Sequence, residues 1–223
     1  MNPRYERNMP ALTEAECQSL QEKRVLVVGC GGLGGHLIDM LPRIGVGFLR
    51  VVDGDVFEPS NLNRQLLSEV PLLGVSKAKA AAERVSRVNP DVEVEAINAF
   101  LTEANVRSLL LGCDVVLDGL DNIESRRILA KECARSGTPY VYGAVNGWVA
   151  QAAVSMPGDR LVETLYPEGA VLKNKSVLSF TPALCASMQV ALCAKLLLGR
   201  PVETGTLYYF DLLNQEFETI SMV

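Results

Sequence analysis

The stretch from Arg24 to Asp55, RVLVVGCGGLGGHLIDMLPRIGVGFLRVVDGD, leaves this chain few choices of fold. Val25 to Val28 form an unbroken apolar run, the pattern of a strand buried on both faces of a parallel sheet. Gly29, Gly31, Gly32 and Gly34 follow at once. Glycines there let the backbone turn sharply and approach a ligand closely. A helix opens out of the turn near Gly34, and its free N–H groups and dipole favour an anion, phosphate above all. A second strand, Phe48 to Val52, ends at Asp53. A carboxylate about 20 residues past the glycines is placed to accept from a ribose hydroxyl. This order predicts an α/β, Rossmann-like fold: a mostly parallel central sheet with helices on both faces. It also predicts an adenine nucleotide as ligand. NAD, FAD, S-adenosylmethionine and ATP all use variants of the turn, so the glycines do not choose among them.

Composition sets outer limits. Of 223 residues, 48% are hydrophobic and 21% charged, as in an ordinary globular chain. The length suits one large α/β domain over residues 1–223. The net charge of −5 argues against nucleic acid as the main partner, because binding a phosphate backbone needs a basic face. No apolar run stands out as long enough to span a bilayer, and the opening MNPRYERNMPAL has no signal-peptide core. No membrane partner and a cytoplasmic location are the resulting expectations. The six cysteines include no C-x-x-C pair and His36 is the one histidine, so no zinc is expected. Most of the thiols read as buried packing groups, with Cys30, inside the glycine turn, nearest a ligand.

Taken in order, residues 1–23 form an arm and a helix. Arg4 and Arg7 lie in the exposed arm, and Thr13 with Glu16 makes a capping box for a helix of about ten residues. Past Asp53 comes Asp55, then a polar cluster of Asn61, Asn63, Arg64 and Gln65. This follows the carboxyl end of the second strand, the edge where open α/β sheets bind ligands. Ser76 caps a helix running to Val88, which places Lys77 in its first turn. A cation there opposes the helix dipole unless an anion is shared. Val92 to Ile97 reads as a strand, Thr102 to Leu111 as a short helix, and Asp114 to Leu117 as a buried strand. That strand ends in Asp118-Gly-Leu-Asp121-Asn122, where crowded acids need a cation or a donor between them. Hard oxygen ligands of this kind suit magnesium. A helix over 124–137, strands at Pro139–Tyr142 and Val149–Met156, and an irregular, mobile crossover over 157–179 follow. An apolar helix, Thr181–Leu198, is either central or at a subunit interface. A hairpin, Leu207–Phe210 with Glu216–Ile220, places antiparallel strands at the C-terminal end.

Three polar stations follow the glycine loop: Asn61-Leu-Asn-Arg64-Gln65, Gly74-Val-Ser-Lys77 and Asp118-Gly-Leu-Asp121-Asn122. In this order and spacing the chain resembles the ThiF/MoeB/HesA family, prokaryotic relatives of ubiquitin-activating enzymes, from Arg4-Tyr5-Glu6-Arg7 to the closing strands. The resemblance implies that the glycine loop holds ATP and that Asp53 contacts its ribose. It implies that Asn61, Arg64 and Lys77 contact the phosphates, with Gln65 beside them, and that Asp121 helps to hold magnesium. Asp55 and Asn122 are counted with the nucleotide-binding set. Arg64, Lys77, Asp121 and Arg7 form the expected catalytic set, with Arg7 reaching into the partner's site in a homodimer. The substrate implied is the C-terminal Gly-Gly carboxylate of a ubiquitin-like sulfur carrier protein, activated as an acyl-adenylate with release of pyrophosphate. Its tail is expected along the 157–179 crossover and a groove beside Trp148.

The sequence departs from the family in lacking the two zinc-binding C-x-x-C pairs and any cysteine in the crossover. Adenylation is therefore the step implied, with sulfur supplied by a separate donor. An NAD-dependent oxidoreductase would leave Arg64, Lys77 and Asp121 unexplained. The same residues would also serve adenylation of another carboxylate, including one in a tRNA-modification substrate, or a non-catalytic ATP-binding module.

Overall fold

In the computed structural model, which describes residues 2–171 and 176–222, the apolar run after Arg24 is an inner strand of an eight-stranded sheet. Strand β1 (Arg24–Val28) lies between β2 (Phe48–Val52) and β4 (Val115–Asp118), parallel to both. β3 (Glu93–Ile97) extends the sheet beyond β2, and β5 (Tyr140–Asn146) pairs in parallel with β4. β6 (Val149–Ser155), β7 (Thr206–Asp211) and β8 (Glu216–Ser221) continue it antiparallel. The spatial order is β3-β2-β1-β4-β5-β6-β7-β8.

The continuous apolar reading of the inner strands has a direct cause. Val25, Val27, Leu49, Val51 and Leu117 face one helical layer, while Leu26, Val28, Val52 and Val116 face the other. The first layer holds α2 (Gly32–Ile44), α3 (Lys77–Val88) and α7 (Phe180–Leu197). The second holds α4 (Val106–Leu110), α5 (Ile123–Ser136) and α6 (Leu161–Leu165). Each fully buried Val or Leu contributes about 1.5–3 kcal/mol, so alternation would waste half of each strand.

Four expectations need correction. The capping box is present, with Thr13 accepting from Glu16 N–H, but α1 (Glu14–Leu20) has seven residues. α4 begins at Val106 rather than Thr102, because Asn105 turns back to accept from Thr102 N–H. The crossover is not wholly irregular: α6 interrupts it, with Leu161 and Val162 buried. Residues 172–175 of that stretch lie outside the described residues. Finally, α7 does meet the length and composition of a membrane span. It packs instead against α2, β5 and β6, burying Thr181, Cys185, Gln189 and Cys193, so it is central to the fold.

The N-terminal arm is anchored. Pro3–Asn8 form a 3-10 helix whose Tyr5 is 2% exposed. Asn89 Nδ2 donates to Tyr5 Oη at 2.8 Å and to Pro42 O at 2.9 Å, and Arg4 donates to Val88 O at 3.0 Å. These contacts staple the arm to the C-terminal ends of α2 and α3. The glycine turn lies at the other end of α2, about 20 Å away along the helix axis.

Candidate active site

The site is built at the carboxyl edge of β1 and β4, where the strand order reverses and open α/β sheets bind their ligands. Gly29 has φ +93°, and a Cβ there would fall 2.5 Å from Gly119 O. A Cβ on Gly34 would fall 1.7 Å from Gly29 O, so Gly34 serves the packing of α2 onto the turn. Gly29, Gly31 and Gly32 line the cavity and Gly34 does not. Gly31 caps α2 without a side chain. Asp53 secures the turn from β2: its carboxylate accepts from Cys30 N–H at 2.7 Å and from Asp55 N–H at 2.8 Å. Burial pushes the Asp53 pKa up, against those two bonds and the nearby Lys77 charge. The Cys30 thiol is fully buried and its pKa is driven up by desolvation, so it acts as packing.

The second station resolves the dipole conflict at α3. Lys77 is 7% exposed, and its Nζ lies 3.3 Å from Asp55 Oδ2. Asp55 is the shared anion within the chain. Arg64 lines the cavity with Nη1 held by Ser60 O and Asn63 Oδ1, both at 2.8 Å. Gln65 lines it too. Asn61 is placed differently: its side chain is buried and accepts from Glu58 N–H at 3.1 Å, closing a 3-10 turn. Asn63, two residues on, lines the cavity and donates to Val177 O at 3.3 Å.

At the third station the two acids divide. Asp118 is fully buried, accepts from the Tyr140 hydroxyl and from Leu120 N–H, and faces Arg126 at 3.5 Å. Burial raises the Asp118 pKa against these partners. Burial also opposes the Arg126 charge, but Asp118 together with Tyr142, Tyr166 and Tyr140 outweighs it and the Arg126 pKa is raised. Asp121 is exposed and lines the cavity. Asn122 lines it as well, while its Oδ1 caps α5 by accepting from Ser125 N–H at 2.9 Å. β4 and β5 pair only as far as Leu117 and Val141. Beyond that point Gln189 of α7 bridges them, donating to Asp118 O at 3.0 Å and Val141 O at 3.1 Å.

These stations surround one cavity of about 560 Å³, within the range of small-molecule sites. Phe100 and Leu101, just past β3, give it an apolar wall. Ala144, Val145 and Asn146 of β5, with Ser176, Val177 and Tyr166, line an uncharged part of it, its arm. Sequence reading missed these residues. Phe100 and Leu101 follow the same strand-end rule that located Asp53 and could have been found by it. Arg7 and Trp148 are not among the lining residues; Trp148 packs on Phe180 with ring centroids 5.0 Å apart.

The residues present fit a nucleotide. Among the described residues, two buried side-chain polar atoms lack a partner, Gln65 Oε1 and Arg126 Nε, and both belong to cavity-lining residues. A buried orphan costs about 1–3 kcal/mol, which a bound polar guest would relieve. No group of three or more His, Cys, Asp and Glu gathers for a metal among the described residues. Three carboxylates line the cavity: Asp53 is held by two N–H groups, Asp55 faces Lys77, and Asp121 matches how magnesium is usually held, by one or two carboxylates together with substrate phosphates.

Sheet and turn together define a Rossmann-like protein, with a charged cavity that fits a nucleotide. Comparison with known proteins narrows the class. The ThiF family profile matches residues 5–222. The SAMP-activating enzyme E1 of Haloferax volcanii is 38% identical over 90% of this chain and 77% of its own length. A sulfur carrier protein adenylyltransferase of Thermus thermophilus is 33% identical over 98% of this chain and 86% of its own. The sulfur carrier protein ThiS adenylyltransferase of Bacillus subtilis is 32% identical over 89% of this chain, which spans 61% of that protein. Among solved structures, E. coli MccB with ATP matches with a TM-score of 0.84 over 100% of this chain and 72% of that one. At 19% identity that likeness shows the fold alone. The chain belongs to the ThiF family, and adenylyltransferase is the enzyme class of the two sulfur-carrier relatives it matches.

Proposed function

We propose that this chain is an ATP-dependent adenylyltransferase that activates the C-terminal Gly-Gly carboxylate of a ubiquitin-like sulfur carrier protein. The observation that carries the reading is the continuity of the cavity. Glycine turn, Lys77 and Arg64 lie in the same space as an uncharged arm built by Ala144–Asn146, Ser176 and Val177. An extended glycine tail, with no charge short of its carboxylate and no side chains of its own to place, suits such an uncharged arm. The sulfur-carrier relatives support the substrate class.

The chemistry follows from the charges. The tail carboxylate attacks the α-phosphorus of ATP, an acyl O–P bond forms, and the bond to the β-phosphate oxygen breaks with its electron pair leaving on pyrophosphate. The nucleophile is already an anion, so no protein base is needed. Lys77 and Arg64 stabilise the charge developing on the phosphates. Asp53 holds the turn and faces the ribose; Phe100 and Leu101 offer the base an apolar wall. Magnesium, held by Asp121 and the phosphates, would neutralise charge on the leaving group. The residues do not require zinc. The active species is a homodimer in which Arg7 of one protomer completes the other's site, working in the cytoplasm as a single adenylation domain over residues 1–223.

The test is ATP–pyrophosphate exchange with magnesium, with and without a carrier ending in Gly-Gly. Exchange that needs the carrier and its last glycine is the expected result, and Lys77→Ala should lower it at least ~100-fold. ATP binding without exchange under any carrier would move the reading to another carboxylate or to a binding role.

A further inference from the structure

Helix α5 carries two adjacent arginines outside the set assigned to the phosphates. Arg126 is 4% exposed, and its guanidinium joins three pieces of the fold. Nη2 donates to Leu120 O at 2.6 Å, in the loop that carries Asp121. Nη1 faces buried Asp118 at 3.5 Å and donates to the Tyr166 hydroxyl at 3.3 Å. Tyr166 follows α6 in the crossover and shares a hydroxyl–hydroxyl bond of 2.7 Å with Tyr142 of β5. Arg127 holds the same segment by its backbone, donating to Tyr166 O at 2.8 Å and Pro167 O at 2.9 Å. One arginine grips the side chain of Tyr166 and the next grips its carbonyl.

A buried charge is expensive to keep, and hydrophobic residues of similar volume would often serve stability as well or better. What a hydrophobic pair cannot do is fix three backbone segments by directed bonds. The planar guanidinium does so, and a lysine would not reproduce its fork. Two of the three border the cavity, the loop through Leu120 and Asp121 and the crossover through Tyr166.

We propose that Arg126, Arg127 and Tyr166 form a clamp that positions the crossover against the Asp121 loop, setting the width of the cavity's arm and so the binding of the acyl substrate rather than of ATP. The three are positioning residues, and the clamp's role in binding rests on the arm being the tail's seat. The clamp itself is a property of the free protein and is tested apart from activity.

The experiment pairs two measurements on Tyr166→Phe and Arg127→Ala, which leave Arg126 and its buried counter-ion Asp118 in place. Hydrogen exchange of the unliganded protein should show residues 161–167 exchanging about ten-fold faster in each, with β1 and β2 unchanged. In pyrophosphate exchange, the KM for a Gly-Gly carrier should rise about ten-fold while the KM for ATP stays within about two-fold. Unchanged exchange at 161–167 overturns the clamp whatever the substrate proves to be. A loosened segment with both KM values unchanged overturns its role in substrate binding. Silence of the wild-type protein towards every carrier counts against the adenylation reading alone, and hydrogen exchange still decides the clamp.

Discussion

Asp53 shows how a single carboxylate can serve structure and site at once. Cys30 and Asp55 N–H groups both donate to it, yet burial outweighs them and its pKa is raised above that of an ordinary aspartate. Between the ordinary value and the raised one, the folded protein binds more protons than the unfolded chain. Stability contributed by this group therefore falls as pH rises through the folded pKa, and the cost is fully present above it. Asp53→Asn can accept from only one of the two N–H groups, so at neutral pH it should be less stable by about 1–2 kcal/mol. Acidification towards the ordinary aspartate pKa relieves the wild type and not the variant, so the deficit should widen. Urea melts of both proteins at several pH values measure this; a deficit that narrows on acidification would refute the assignment. Asp53 was legible in the sequence because strand end and glycine spacing are local properties. Asp118 and Asp121 looked alike because burial is not local: only packing under α5 and α7 separates a buried counter-ion of Arg126 from an exposed cavity residue. The same limit explains Asn61 and Asn63, two similar residues that a 3-10 turn sends to different places.

Helices and strands were legible wherever periodicity or a cap had room to declare itself. β1 and β2 read as runs because both faces are covered, and α3 ran from its Ser76 cap to the Asn89 stop as its pattern required. α6 has five residues, too few for a helical stripe, so its segment looked irregular. α7 is apolar nearly all round, which fits a core helix and an interface helix equally. Its buried Gln189 decides for the core, since it supplies the bonds that β4 and β5 cannot make once they part. The fit is tight: a Cβ on Gly143 would meet Gln189 Cδ at 2.3 Å. Gly143→Ala should therefore cost about 2–3 kcal/mol in a urea melt, as overpacking does. Adding Gln189→Ala removes the collision but leaves two carbonyls unbonded, so it should recover only part of the loss. A single variant as stable as wild type, or full recovery in the double, would mean that α7 docks by other contacts.

Across the whole molecule, the position of Arg7 limits what it can do. Tyr5, Asn89 and Arg4 fasten the arm at the far ends of α2 and α3, and the length of α2 separates it from the glycine turn. A fully extended arginine side chain cannot cross about 20 Å, so within one protomer Arg7 cannot touch the nucleotide site. No local pattern encodes that distance; it emerges from two helices ending side by side and a buried tyrosine between them. If Arg7 takes part in adenylation it does so in a neighbouring protomer, and the two roles can be separated by mixing. Arg7→Ala keeps Asp121, and Asp121→Ala keeps Arg7. Random exchange between equal amounts gives about half heterodimers, each with one intact site, so activity should return to about a quarter of wild type. The check is pyrophosphate exchange after co-refolding, against each variant alone. Restoration would also fix the stoichiometry, because only a partner's arginine can repair a site whose own arginine is out of reach. A mixture as inactive as its components, at protein concentrations where dimers are seen by sedimentation, would remove Arg7 from the site.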